Sequence, residues 1–425
     1  MPGEQTTTVP RRRRRRLRLA TTAVILALAA AVGYWLFWDG LPPADDDLQP
    51  SPRPVAGGNT AFARLQNAVD AMAFTGEDYF AVAEAIKHPD ATTPRCADAV
   101  RRNRAALELF HGAIRADILR VPAVPDSSVD LDYLDHWLDL TWLTVLHVRD
   151  RNRATGLDPA ATRLLVDLVE FGHALQGAYG SLTHVLCGMH IQRLAATELI
   201  TAVQRNHTPT AGHPATGPLP PARLRAWAGR VLQARRDHAG IARACRVEYG
   251  IWCADLDAVA ADEYQGDYPG LRRLQRGVRA KDEQRTANRR LQVNRTKQTY
   301  AAFWRQVISQ LQAPYPEAEP APETPRPRLG SIADLVLERN YLGKQLAWRL
   351  TQPVRRLRHR LAENTNEMTL CALVLALHAW ERENGRLPAQ LAQLTPDHLP
   401  RIPVDAWTDA PWHYQPDRQI GRAHV

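Results

Sequence analysis

Metal and redox motifs are missing from this chain. Its five cysteines, Cys96, Cys187, Cys245, Cys253 and Cys371, are odd in number and never spaced as CxxC, which excludes a zinc ribbon or a thioredoxin-like dithiol. Cys245 and Cys253 stand eight apart on what reads as one helix, about 12 Å of rise, too far to bridge without unwinding it. Buried free thiols are the expected state. HExxH, a P-loop, GxSxG, GxGxxG and the strand–helix rhythm of a parallel sheet are absent as well. Ser181 follows Gly180 without the rest of a nucleophile elbow. The bulk of the chain also lacks a basic excess. The formal charge is +9, but the first twenty residues hold seven arginines against Glu4, leaving about +3 for all the others. Nucleic acid is therefore excluded as a partner, and arginine's excess over lysine reads as genome composition.

What is present is an address. Arg11, Arg12, Arg13, Arg14, Arg15 and Arg16 run consecutively, Arg18 adds a seventh charge, and Leu19–Trp38 then carries no ionised side chain. A run of this length predicts one membrane-spanning helix, and the arginines predict a cytoplasmic N-terminus with the bulk of the chain outside the inner membrane. Tyr34, Trp35 and Trp38 fit an aromatic belt at the outer interface. The competing reading is a cleaved signal peptide with Ala29-Ala30-Ala31 at the cleavage site, but apolarity continues through Val32 to Trp38. The span thus separates a basic segment, 1–18, from a proline- and aspartate-rich linker, 39–58, expected to space the body from the bilayer.

From residue 59 the pattern is helix after helix. Phe62, Leu65, Val69 and Met72 recur at helical spacing, a second helix is expected over Ala97–Leu119, and a third from Ser127-Ser128 through Leu131, Leu138 and Val145. A fourth from Asp158 breaks at Gly180 and continues toward Asn206; helix resumes at Ala222 and, arginine-rich, over Leu271–Leu311. Six prolines make 313–329 a second linker, and 330–419 is a C-terminal unit with helices expected over Ile332–Arg349 and Asn366–Asn384. The expected fold is mainly α: an N-terminal transmembrane helix, an irregular bundle or solenoid-like body over 59–312, and a small α+β module at the end.

Candidate chemistry is thin. Glu108 with His111 and Glu170 with His173 form two ExxH pairs, which with glutamates such as Glu198 and Glu248 would echo a di-iron bundle. Such pairs also arise by chance in helices rich in these residues. His184 and His190 are six apart and cannot easily share a metal. Asp132, Asp135, His136 and Asp139 are interleaved with Leu131, Leu134, Trp137 and Leu138, as in an ordinary amphipathic helix. No metal or cofactor is implied. Arg272, Arg273, Arg276 and Arg279 open the one cationic concentration of the body; they suit an anionic surface, the alternative being a solvated face balanced elsewhere.

The tail is the most specific text. Residues 375–415 read LALHAWERENGRLPAQLAQLTPDHLPRIPVDAWTDAPWHYQ, with Asn384-Gly385 suited to a left-handed C-cap and Pro388 blocking continuation. This resembles the C-terminal half of the type II secretion major pseudopilin, where a helix, Asn-Gly-x-x-Pro and a Pro-x-Asp-Pro-Trp turn precede a small sheet. Here Ala406 stands where that family has the proline after its aspartate, and no metal ligand is carried over. The resemblance implies a short sheet starting near His413-Tyr414 and secretion proteins as partners, although the anchor lacks a prepilin-peptidase site. As a whole the chain resembles a group of uncharacterised membrane-anchored helical proteins of planctomycete and verrucomicrobial type, through the anchor, the helical body, Asn294-Arg295-Thr296 opening a helix, and this tail. Asn294-Arg295-Thr296 itself reads as a structural cap and ion pair. Residues 420–425, Ile-Gly-Arg-Ala-His-Val, match one frame of a short-read sequencing adapter and are expected to be an artefact, leaving the sheet without its partner strand and the tail without a fixed place.

The expectation is a single-pass envelope protein whose exterior domain works by binding. Accessory service in a secretion-like system and an envelope hydrolase or metal enzyme are the alternatives.

Overall fold

The computed structural model describes residues 22–28, 30, 38–50, 60–88, 93–115, 119–155, 157–205, 219–235, 238–261, 263–266, 271–272, 291–313, 315, 340–352 and 354–416. Arg11 to Arg18 and residues 420–425 lie outside them, as does most of the predicted span, of which residues 22–28 are helical. Among the described residues no helix is long and apolar enough to cross a membrane.

The fold is mainly helical. The body begins with α1 (Thr60–Asp70), α2 (Gly76–Lys87), α3 (Pro94–Arg102) and α4 (Arg104–Ala113), followed by the longer α5 (Asp132–Thr155), α6 (Pro159–Gln176) and α7 (Leu182–Arg205). Then come α8 (Pro221–Gln233), α9 (His238–Ala261), α10 (Val293–Gln312), α11 (Tyr341–Thr351) and α12 (Leu357–Asn384). The boundaries have local causes. Thr75 and Asp78 form a capping box on α2, and Asp158 accepts from Ala160 N and Ala161 N to open α6. Pro94, Pro159 and Pro221 occupy first-turn positions, where the missing N–H leaves no bond unmade. Gly385, at φ +70°, closes α12 in the left-handed conformation expected of it.

Two hydrophobic clusters organise these helices. The first gathers α1 to α8 around Phe110, Trp137, Leu165 and Leu168, and includes Met368 to Ala379 of α12. The second holds Tyr249 of α9, Tyr300 and Trp304 of α10, Leu346 of α11 and Leu361 of α12. Helix α7 serves both, with Val185 and Met189 in the second and Ile191 and Leu199 in the first. The crossing of α6 and α7 is close because Gly172 and Gly188 face each other backbone to backbone. Beside it, Gln192 donates to Ala234 O (2.6 Å) and Val169 O (3.2 Å) while its own oxygen accepts from Gln176 (2.7 Å) and Asn364 (2.8 Å), tying α6, α7 and α12 together.

Three expectations are corrected. The helix expected over Ala97–Leu119 is two helices. Asn103 sits between them, fully buried, and spends its side chain on Ala73 N (2.7 Å), Ala73 O (3.1 Å) and Ala99 O (2.9 Å). The α+β module is not formed: among the described residues there is no strand, only an isolated bridge between Val404 and Pro411. Six prolines between Leu387 and Pro416 remove the donors a sheet needs. Nor does the tail lack a place. Leu394 and Leu399 are buried in the first cluster, Ile402, Trp412 and Tyr414 pack on it, and Asn366 of α12 grips Asp405 Oδ1 (2.6 Å) and Ala406 N (2.7 Å). All five cysteines are free and, Cys253 excepted, buried.

Candidate functional site

The two ExxH pairs do not converge. Glu108 is exposed and pairs with Arg104 (3.1 Å), whereas Glu170 is clasped by Arg230 through two 2.6 Å bonds. Arg230 also reaches the buried Asp167 at 2.8 Å, and the two carboxylates raise its pKa. Thr144 donates its hydroxyl proton to Leu140 O (2.8 Å), so its oxygen accepts from His111 Nε2 (3.0 Å). Burial, then the His147 and Arg115 charges, push the His111 pKa down to about 4, which keeps the ring neutral. Glu198 forms a buried ion pair with Arg149 (2.7 Å), whose second nitrogen donates to Ala85 O (2.7 Å). Glu248 is held by Leu182 N (3.3 Å) and Trp252 Nε1 (3.1 Å). Asp132 and Asp139 belong to an amphipathic α5, as expected; burial pushes Asp139 up to about 6. Among the described residues no three His, Cys, Asp or Glu side chains gather as metal ligands would.

Ser181 does contact a histidine, but as architecture. Its N–H donates to His184 Nδ1 (3.1 Å), which leaves the proton on Nε2 to face Tyr133 OH at 2.6 Å. Both residues are buried at the start of α7, so the hydroxyl has no access to a substrate.

The unexpected site lies where the chain leaves the predicted span. The linker was expected to be a spacer; its described part, 39–50, together with Trp38 at the end of the predicted span, is instead strapped along α10. Asp39 accepts from Asn294 N (3.0 Å) and Arg295 N (3.4 Å), the second and third residues of α10, and so caps that helix from 255 residues away. Asn294 Nδ2 donates to Gly40 O (3.1 Å), Arg295 Nε to Trp38 O (3.2 Å) and Gln298 Nε2 to Leu41 O (2.8 Å). Further along, Arg305 holds Asp47 in a two-pronged pair (2.6 and 2.8 Å) and bonds Ala44 O, and Tyr249 donates to Asp45 (2.5 Å). The Arg305 bond lowers the Asp47 pKa; burial, then the Asp45 bond, raises that of Tyr249. Leu48 ends the strap, buried in the second cluster. Asn294-Arg295-Thr296 is thus the clamp: two of its residues hold the strap, while Thr296 bonds Gln292 O (2.8 Å) within the helix. The hint in the sequence was Asp39-Gly40 directly after the aromatic end of the predicted span, with nothing to say which helix it caps.

Two surface cavities stand out among the described residues. The larger, about 940 Å³ and open, lies over Thr75, Asp78, Arg95 and Arg102; Asp78 is spent on its capping box and on Arg102 (2.8 Å). The smaller, about 290 Å³, is a groove between α7 and α12 at the seam of the two clusters. In it Arg193 bridges Glu363 (3.2 Å) and Glu367 (3.1 Å). Burial raises the Glu367 pKa, and partial desolvation, then Arg193, lowers that of His190 at the rim. Glu363 and Glu367, four apart, were visible in sequence only as an ordinary helical pair. Of the anionic-surface arginines, Arg272 is exposed and donates to Gly266 O (2.7 Å); Arg273, Arg276 and Arg279 lie outside the described residues.

Compared with known protein families, curated proteins and solved structures, the chain matches none.

Proposed function

We propose that this chain is a single-pass inner-membrane protein whose exterior helical body acts by binding, as an envelope scaffold or accessory factor held in a set orientation to the bilayer. The observation that carries the reading is the strap. A chain emerging from a span at Trp38 and bonded to α10 from its first residues cannot work as a loose tether; it couples the body to the anchor. A scaffold benefits from such coupling, because partners then meet one presented face. The enzymatic alternative loses its stated support, since Glu108 and Glu170 are occupied by arginines on different helices. The α7–α12 groove, polar at its rim and backed by Leu186 and Met189, is the concave surface offered to a partner.

The test is topology. Cells expressing the full chain with a C-terminal epitope are fractionated, membranes are washed with alkaline carbonate, and intact spheroplasts are treated with protease. The expected result is a carbonate-resistant band whose body is digested from outside. Release by carbonate, or protection of the body in intact spheroplasts, would overturn the reading.

A further inference from the structure

The strap and α10 run in parallel. Asp39 meets residues 294 and 295, Leu41 meets 298, and Ala44 and Asp47 meet 305, so the start of α10 is the end nearest the span. Other elements begin or finish at the same end. Asn340, just before α11, accepts from Gln292 N (2.8 Å) and donates to Thr296 Oγ1 (3.1 Å), and Lys297 pairs with Asp257 near the finish of α9 (2.6 Å). The chain turns sharply as it arrives: Gly40 has φ +88°, a conformation any side chain would strain. Trp38 to Leu41 spans at most about 10 Å, hardly more than the headgroup layer of one leaflet. While the backbone of the strap's first residues is bonded to α10, the apolar side chains there face outward: Trp38 is 43% exposed and Leu41 72%. The Arg295 guanidinium stands 5.7 Å from the centre of the Trp38 ring. The exposed side chain of Lys344, in the first turn of α11, shares this end, and Asp257 there is answered by Lys297.

We propose that this end of the body sits on the outer surface of the bilayer, with Trp38 and Leu41 in the headgroup layer and Arg295 against anionic phospholipid. The proposal rests on the membrane-anchor reading above. An aromatic, an aliphatic and a cationic side chain, presented together beside a span, match the interfacial chemistry of lipid rather than that of a protein groove. A seated end also explains why the strap is stitched by side chains on two helices rather than left free.

The experiment uses the full chain in membranes, with a photoreactive benzoylphenylalanine replacing Leu41 in one protein and Phe80 in another. Phe80 is 75% exposed on α2, a helix that packs in the first cluster. After irradiation, intact mass reads phospholipid adducts. The expected result is lipid adduct at position 41 and little at position 80, with Arg295→Gln weakening seating on anionic nanodiscs by roughly fivefold. A membrane-embedded protein that gives no adduct at 41, or as much at 80, overturns the seating while leaving the anchor intact. A protein recovered outside the membrane fraction overturns both. Yields at 41 that are the same on zwitterionic and anionic nanodiscs overturn the anionic-lipid contact.

Discussion

Adding one methyl group at two glycines should move stability in opposite directions. In Gly188→Ala the new Cβ would lie under 3.0 Å from the carbonyl oxygen of Gly172, a distance real Cβ atoms essentially never show. The obstacle is backbone, so no rotamer change relieves it and α6 and α7 must separate. Overpacking of this kind costs about 1–3 kcal/mol. Separation also stretches the buried Gln176–Gln192 bond, worth about 1 kcal/mol. Against this stands the helix-propensity gain of alanine over glycine, about 1 kcal/mol. The balance is a loss of roughly 1–3 kcal/mol. In Gly229→Ala, within α8, the Cβ meets nothing within 4 Å, so only the propensity gain is left and stability should rise by about 0.5–1 kcal/mol. Urea unfolding of the full chain in mild detergent, followed by far-ultraviolet circular dichroism, reads both. If Gly188→Ala proves as stable as Gly229→Ala, the close crossing of α6 and α7 is wrong.

Other perturbations follow from the same reasoning. Arg149→Ala leaves Glu198 buried without its partner and is expected to destabilise by about 3–5 kcal/mol, while Arg149→Met with Glu198→Leu should recover most of that in the same unfolding assay. Failure of the double variant to recover would mean that the Ala85 contact, not the charge, dominates. Because the His111 pKa is depressed when folded, the unfolded chain takes the proton first, so its contribution is present above pH 6.5 and lost as pH falls toward 4. That loss is on the order of 2–3 kcal/mol; His111→Gln should unfold with a visibly flatter dependence between pH 7 and 4.5, and an unchanged slope would assign the acid sensitivity elsewhere. Asp39→Ala removes the cap of α10 and should cost about 1 kcal/mol, whereas Asp39→Asn keeps an acceptor and should cost little. Limited proteolysis within 41–50 reports the strap, and equal cleavage of the two variants would argue against a cap.

Legibility tracked how local the cause was. The helical class, the break between α6 and α7 at Gly180, the start of α8 near Ala222 and the C-cap at Gly385 all follow from periodicity and from proline, glycine and aspartate acting on their neighbours. Asn103 defeated the pattern because its bonds go to Ala73, thirty residues away, and no window of helical periodicity contains that partner. The tail misled for a related reason. Asp405-Ala406-Trp407 reads as a turn into a sheet, but the groups that satisfy it belong to Asn366 on α12, so it folds against a helix instead. The groove is similar: Arg193 and Glu363 are 170 residues apart, and each alone is an ordinary surface charge.

On the membrane anchor proposed above, the strap changes what anchoring means. A free linker of about twenty residues would let its ends wander roughly 25 Å apart, and the body would tumble over the membrane showing every face. With Asp39, Asp45, Asp47 and Leu48 engaged, the same residues act as a bracket whose bonds fall on two helices of one cluster. The bracket's strength comes from different physics along its length: a charge at a helix N-terminus, a two-pronged arginine pair, then a buried leucine. The Asp47–Arg305 pair is exposed and contributes little alone, so order in the strap depends on its two ends, the Asp39 cap and the Leu48 burial.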